Sequence, residues 1–296
     1  MVKKVLVTGG NRGLGYEACR KLLEIPDMHV ILGSRDQKRG EEAIKTLSLP
    51  GNEGRLELLL IDCGDIESIK NAASSYSAKH GMKNSLYCLV NNGGLSTRSP
   101  GKDVWRVNAG GPLFITDAFL PFMVEDGRVV NVGSVSGVLF FKNLSEQYQK
   151  IILEGTREEL DKLYNFVMET EDMSLFEKEG LGDWVKEGAN YYSLAKLLVC
   201  AHAATMARLF SKMKFNAIEP GVVETDMTKP MLDRMGQQHP FEHMGYPTVP
   251  VEQGVKGYMH LIVGEVGSGA FYSCDCKRSH FGILRTPFVD PAYEGP

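Results

Sequence analysis

Tyr192-Ser193-Leu194-Ala195-Lys196 sets a phenol and an ammonium four residues apart, the spacing that puts two side chains on one face of a helix. An ammonium close to a phenol favours the phenolate and draws its pKa from about 10 toward the working range of a general acid. Tyr191 is displaced by about 100° around the same helix and does not share the lysine's face. Ser134 follows the run Val129-Val130-Asn131-Val132-Gly133. Its hydroxyl therefore falls at the carboxyl end of a strand, where open α/β sheets bind ligands and where it can donate to a carbonyl oxygen. Taken singly, the pair reads as helix decoration and the serine as a turn or cap residue. Taken together, they supply a proton donor, its electrostatic partner and a donor to a developing alkoxide.

A second set of residues suits a dinucleotide. Thr8-Gly9-Gly10-Asn11-Arg12-Gly13-Leu14-Gly15 follows the first apolar run and opens an amphipathic one. Glycines at 9, 13 and 15 permit a tight turn and let a pyrophosphate approach the backbone amides and positive end of the helix. The second apolar run ends Leu32-Gly33-Ser34-Arg35-Asp36, which sets Arg35 where the adenosine ribose belongs. An acid there accepts from the 2′-hydroxyl of NAD, whereas an arginine bonds the 2′-phosphate of NADP. Arg12 adds a second cation, Asp36 opposes both, and the balance points to NADP(H). Asp62, with Cys63 beside it, ends the third run, placed either to bond the adenine amino group or to cap the next helix.

The elements that must carry these groups alternate. Val5 to Val7, Gly13 to Glu24, Val30 to Leu32, Asp36 to Leu47, Leu56 to Ile61, Asp65 to Lys79 and Leu86 to Val90 read as βαβαβαβ. The rhythm continues with a helix around Val104 to Met123, a strand at Arg128 to Val132, a long helix from Ala189 to about Phe210 and a strand near Lys214 to Ile218. A helix near Val251 to Val263 and a strand near Ala270 to Ser273 close the series. Strands with almost no polar alternation belong to a parallel sheet covered on both faces, so the fold class is α/β, a doubly wound, three-layer Rossmann-type sandwich. Two segments break the pattern. Asn143 to Gly188 holds 12 acidic and 5 basic residues with apolar spacing at Leu153, Leu160, Leu163, Phe166 and Val167, and predicts a helical insertion. Thr228 to Pro250 holds Pro230, Pro240, Pro247 and Pro250 and predicts a long loop over the substrate.

Composition removes other classes. At 296 residues the chain is within reach of one α/β domain, taken as spanning 1–296. Thirty-three basic against 37 acidic residues give a net charge of -4, so the phosphate attraction that nucleic-acid binders use is missing. A mean hydropathy of -0.17 and 43% hydrophobic residues fit neither a disordered polymer nor an integral membrane protein. Six scattered cysteines, and only a short apolar run before Thr8, suit a cytoplasmic protein with reduced thiols.

The combination resembles the short-chain dehydrogenase/reductase family. The resemblance runs through the loop from Thr8 to Gly15, Asn91-Asn92-Gly93-Gly94, Asn108, Ser134, the Tyr192/Lys196 pair, and Pro220-Gly221-Val222-Val223-Glu224-Thr225. It implies a catalytic tetrad of Asn108, Ser134, Tyr192 and Lys196, with Thr225 at the nicotinamide carboxamide. It also implies cofactor contacts from Gly9, Asn11, Arg12, Gly13, Leu14, Gly15, Arg35, Asp62, Cys63, Asn91, Gly93, Pro220, Gly221 and Val223. Ser145 to Lys150 and Glu158-Glu159-Leu160 are similar to the insertion of the NADPH-dependent carbonyl reductases, a subgroup that is NADP-specific and often monomeric. The helices carrying Asn108 and Tyr192 form dimer faces in many relatives, and an insertion leading into the second obstructs them; a monomer is expected.

Read this way, the chain reduces a small-molecule carbonyl, a quinone, aldehyde or ketone, with Tyr192 as general acid. Ser134 holds the oxygen, Lys196 bonds the nicotinamide ribose and stabilises the tyrosinate, and Asn108 positions a water for reprotonation. Two alternatives are a light-driven enzyme like protochlorophyllide reductase and a noncatalytic NADPH-sensing module. The chain departs from the family pattern at Gly93, usually alanine, and at Gly133, often serine. The 13 residues between Gly94 and Asn108 are also fewer than the resemblance implies, and the loop from Thr228 to Pro250 is longer. His239 and His243 have helical ligand spacing, but Pro240 disfavours the turn and no third ligand is evident, so no metal is expected. Cys274 and Cys276 read as two thiols on one face of a strand end.

Overall fold

The strands form because their apolar residues serve two cores at once. In a computed structural model describing residues 2–182, 187–235, 241–280, 283 and 285–295, the first half of the chain alternates strictly between strand and helix. β1 (Lys3–Val7), α1 (Gly13–Leu23), β2 (Met28–Ser34), α2 (Gln37–Leu47), β3 (Leu56–Leu60), α3 (Ile66–His80) and β4 (Leu86–Asn91) follow one another. Along β1, Val5 and Val7 pack with Ala18, Cys19 and Leu22 of α1, while Leu6 between them joins the core on the opposite face. This period of two, with both faces covered by helices, is what a parallel sheet requires.

After β4 come α4 (Gly101–Trp105), α5 (Gly111–Phe119), β5 (Met123–Val132), α6 (Val135–Phe141), α7 (Glu146–Glu154), α8 (Arg157–Glu169), α9 (Ser174–Lys178), α10 (Glu187–Leu209) and β6 (Lys214–Ile218). β7 (Val222–Val223), α11 (Lys229–Met235), β8 (Thr248–Val249), α12 (Val251–Gly254), α13 (Lys256–Val263), β9 (Phe271–Tyr272) and β10 (Arg278–Ser279) complete the described elements. The main sheet has the order β10-β9-β6-β5-β4-β1-β2-β3. All its pairs are parallel except β9–β10. The order reverses between β1 and β4, and the crevice at the carboxyl ends of those strands is where such sheets bind ligands.

Four expectations are corrected. The helix placed at Val104 to Met123 is broken into α4, a π turn at Arg106–Gly110, α5 and a 3₁₀ turn at Leu120–Phe122. Close approaches account for the break: a Cβ on Gly110 would lie 2.6 Å from the Tyr164 hydroxyl, and one on Gly111 2.9 Å from the Cys63 carbonyl oxygen. β5 begins at Met123, ahead of the expected Arg128, with its register against β4 shifting between Leu86 and Cys88. The segment from Thr228 to Pro250 is structured where it is described. It holds α11, a 3₁₀ turn at Glu242–Met244 and β8 paired with β7, because Met231, Leu232, Phe241 and Met244 pack on Val135, Val222 and Tyr246. His239 and Pro240 lie outside the described residues. Finally, β9 stops at Tyr272, so Cys274 and Cys276 occupy the turn to β10, the first buried and the second half-buried with φ 63°.

The insertion is helical where it is described; Asp183 to Lys186 lie outside the described residues. α8 starts in a reciprocal Thr156/Glu159 cap and buries Leu160, Leu163, Tyr164 and Val167. Tyr164 stacks on Trp105 at 5.9 Å, and its carbonyl accepts from the indole N–H at 3.1 Å. Lys102 closes the other end by donating to the carbonyls of Val167, Met168 and Thr170 at 3.1, 2.6 and 2.6 Å.

Candidate active site

The glycine loop meets the crevice directly after β1. Gly9 and Gly13 have φ of 63° and 55°, a left-handed backbone that side chains with a Cβ rarely adopt. Gly15 serves packing: a Cβ there would lie 2.4 Å from the Gly9 carbonyl oxygen, so it lets α1 approach the turn and does not line the cavity. Thr8 and Asn92 lock the loop to the end of β4. The Thr8 hydroxyl accepts from the amides of Asn92 and Gly93, both at 3.0 Å, and Asn92 Nδ2 donates to the Thr8 carbonyl at 2.8 Å.

A cavity of about 470 Å³ runs from this loop along the carboxyl edge of the sheet. Of the residues singled out in the sequence, Gly9, Asn11, Arg12, Gly13, Leu14, Arg35, Asp62, Cys63, Gly93, Ser134, Tyr192, Lys196, Pro220, Gly221, Val223 and Thr225 line it. One end gathers Arg12, Ser34, Arg35 and Arg39. Asp36 caps α2 by accepting from the Arg39 amide at 2.9 Å, so the acid that opposed an NADP reading has a structural duty of its own. Asp62 is not the cap of α3, a task performed by Asp65; its Oδ1 accepts from the Gly64 amide at 2.9 Å.

Cys63 also explains the departure at Gly93. A Cβ on residue 93 would lie 2.7 Å from Cys63 Sγ, closer than packing allows, so the thiol fills the volume that a side chain at 93 would take. Burial pushes this thiol up to about 11, leaving it a neutral wall of the cavity.

At the other end the two polar helix residues meet the serine. The hydroxyls of Tyr192 and Ser134 line the same cavity, and Ser134 Oγ accepts from the Ser136 hydroxyl at 2.9 Å. Lys196 Nζ sits 5.6 Å from the centre of the Tyr192 ring and donates to the Val132 carbonyl at 2.7 Å. Burial pulls the lysine down to about 8 and raises the phenol above its ordinary value, the Ser134 hydroxyl opposing that rise. The phenol's shift is thus set by desolvation and runs opposite to the direction expected from Lys196. A neutral phenol is nevertheless the proton-loaded form that reduction of a carbonyl requires. Tyr191 points away, as its position on the helix implied, and is buried against Phe176.

Asn91 and Asn108 do not reach the cavity. Asn91 is buried beneath it and donates to Thr116 Oγ1 at 3.1 Å and Asn131 Oδ1 at 2.9 Å. Asn108 spends its amide on the backbone of Leu95, accepting at 2.7 Å and donating at 2.9 Å. Its side chain braces the wall. Residues missed in the sequence include Ser34, Arg39, Asn92, Leu95, Glu219, Met227 and Tyr258. Arg39 stands four residues after Arg35, a spacing that was available to read; Tyr258, whose hydroxyl donates to Asn92 Oδ1 at 3.0 Å, is far along the chain and had no local signal.

The residues present fit a phosphorylated dinucleotide: a glycine cradle, three guanidinium groups at one end and a hydroxyl pair with an ammonium at the other. No described helix is long and apolar enough to cross a membrane. Residues 3–146 match the family model described as short chain dehydrogenase. The chain is 31% identical over 241 residues to carbonyl reductase [NADPH] 1 of Homo sapiens, covering 76% of this chain and 83% of that protein. It is 29% identical over 257 residues to (+)-neomenthol dehydrogenase of Arabidopsis thaliana, covering 75% and 83%. Salutaridine reductase from Papaver somniferum superposes with a TM-score of 0.73 at 23% identity over 91% of this chain and 99% of that one. The NADPH-bound carbonyl reductase from chicken fatty liver gives 0.62 at 23% identity over 94% and 98%. At these identities the two structures bear on the fold alone.

Proposed function

The chain belongs to the short-chain dehydrogenase/reductase family of oxidoreductases, and from that premise we propose that it reduces a small-molecule ketone, aldehyde or quinone to an alcohol using NADPH. The observation that carries the reading is the single cavity with Ser134, Tyr192 and Lys196 at one end and Arg12, Arg35 and Arg39 at the other. When bound, NADPH supplies a hydride to the carbonyl carbon. The backbone from Gly9 to Leu14 would hold the pyrophosphate, the three arginines and Ser34 would take the 2′-phosphate, and Asp62 and Cys63 would serve the adenine. Gly93, Pro220, Gly221, Val223 and Thr225 would serve the ribose and nicotinamide.

Ser134 donates to the substrate oxygen and to the alkoxide that develops on it, a preorganised contact worth a few kcal/mol in a transition state. Tyr192 delivers the proton. Lys196 stabilises the tyrosinate left behind and bonds the ribose of the bound dinucleotide. The sides facing the substrate include Leu95, Val135 and Met227, which suit an apolar body around the reacting carbonyl. The protein acts as a monomer, since α8 is tied across α5 and α10 by Arg157, which pairs with Asp117 at 2.7 Å and approaches His202 at 3.5 Å.

The test is NADPH oxidation against quinones, aldehydes and ketones, with NADH in parallel. Turnover with NADPH and little with NADH is expected. Preference for NADH would remove the arginine argument, and tight NADPH binding with no turnover on any carbonyl would favour a sensing module.

A further inference from the structure

Glu219 follows β6 directly and stands one residue before the Pro220-Gly221 turn that borders the cavity. It is 1% exposed, yet both carboxylate oxygens are engaged. Oε2 accepts from the Gly221 amide at 2.9 Å and Oε1 from the Cys274 amide at 3.1 Å. The two donors belong to different loops packed face to face: a Cβ on Gly221, whose φ is 83°, would lie 3.3 Å from both Cβ and Sγ of Cys274. Beyond Cys274, Asp275 forms a buried ion pair with Arg285 and accepts from the Phe288 amide at 2.9 Å. Tyr246 donates to the Arg285 carbonyl at 3.0 Å. One carboxylate thus joins the Pro220–Gly221 turn to the turn between β9 and β10, itself tied to the C-terminal segment.

We infer that Glu219 is a positioning residue that holds the Pro220–Gly221 turn when ionised and loosens it when protonated, making the grip on the nicotinamide end of the dinucleotide proton-linked. This rests on the cavity being a dinucleotide site. The ionised carboxylate accepts both amides at full strength; in the carboxylic acid, the form that burial favours overall, one oxygen carries a proton and is the weaker acceptor, so the amide facing it is held less firmly. Burial pushes Glu219 up to about 7 against the two amides, with Asp275 adding a like charge. The other titratable groups facing it are Cys274 on the same turn as Asp275, Cys200 and Lys196 of α10, and Tyr246. Burial raises the two thiols and the phenol well above neutrality, while Lys196, pulled down to about 8, loses its charge as pH rises and so weakens the grip on the dinucleotide, opposite in sign to Glu219. Because it is already covered, a ligand adds little further desolvation, and the order of the turn decides the sign.

The test compares two ligands of the wild-type protein by direct binding titration between pH 6 and pH 8. NADPH spans the cavity, whereas adenosine 2′,5′-bisphosphate carries the same 2′-phosphate and lacks the nicotinamide end, so titration of that phosphate cancels in their ratio. The affinity ratio of NADPH to the bisphosphate is expected to rise about three- to tenfold with pH and to stay flat in Glu219→Gln. A flat ratio in the wild type overturns the inference while leaving the dinucleotide site standing, as does the same pH dependence in the variant. Binding of neither ligand overturns the site and the inference together. If Glu219→Gln does not fold, the sign of the wild-type change decides: a rise with pH runs against the loss of the Lys196 charge and supports Glu219, whereas a flat or falling ratio overturns the inference.

Discussion

Arg39 and Arg35 flank the opening turn of α2, and with Arg12 they put three guanidinium groups at the end of the cavity opposite Tyr192. A hydrogen bond to a charged group is worth about 1.5–3 kcal/mol, so Arg39→Ala should raise the KM for NADPH about tenfold while leaving that for NADH in place; an equal effect on both cofactors would deny it contact with the 2′-phosphate. Gly93 and Cys63 form a second residue-scale pair. Gly93→Ala forces a methyl to within 2.7 Å of the thiol and should cost about 1–3 kcal/mol by overpacking. Cys63→Ala should recover much of that loss, and simple additivity in the double variant would contradict the coupling. The tyrosine, lysine and serine were legible because their chemistry depends on local spacing. The bracing contact of Asn108 was not, because Leu95 folds against it across a turn. Glu219 was hidden for the same reason: its partner Cys274 lies 55 positions along the chain.

At the scale of elements, the insertion shows what periodicity can and cannot tell. Its apolar stripe gave away α8, since Leu160, Leu163 and Val167 are all buried. What the stripe rests on was not legible: Arg157 reaches Asp117 of α5 through both nitrogens at 2.7 Å and Asp161 at 3.0 Å. Asp117 is half exposed, so Arg157→Ala should cost only about 1–2 kcal/mol and should speed amide exchange in α7 and α8 before the sheet. Uniform exchange across the molecule would show that the insertion is no separate unit of stability. The break between α4 and α5 escaped notice because apolar spacing continues through the π turn, and only the approach of Tyr164 and Cys63 to two glycines marks it. The segment from Thr228 to Pro250 misled for the opposite reason, since its prolines suggested a loop while its methionines and phenylalanine found a surface to pack on.

For the whole molecule, the alternation of strands and helices made the doubly wound sheet readable, because a parallel strand buried on both faces leaves an apolar run that little else produces. The antiparallel edge strand β10 was unreadable, being two residues long. Two carboxyls, one half-buried and one buried, shape the stability of the fold against pH in opposite directions. Glu57 is held down at about 2 as it accepts from His29 and His80 and pairs with Lys79. Its contribution is present above the ordinary glutamate range and disappears as pH falls toward 2, so the Tm advantage of wild type over Glu57→Gln should shrink through that window. Glu219 is raised to about 7, and its contribution fades instead as pH climbs from about 4.5 to 7. Light scattering should find one chain per particle, and a stable tetramer would overturn the assignment of α8 as a cover for α5 and α10. The most direct measurement of the central claim is Tyr192→Phe, assayed for NADPH binding by fluorescence and for turnover on a carbonyl that the wild type reduces. Binding should persist while turnover falls by about a hundredfold or more; undiminished turnover would contradict Tyr192 as the proton donor.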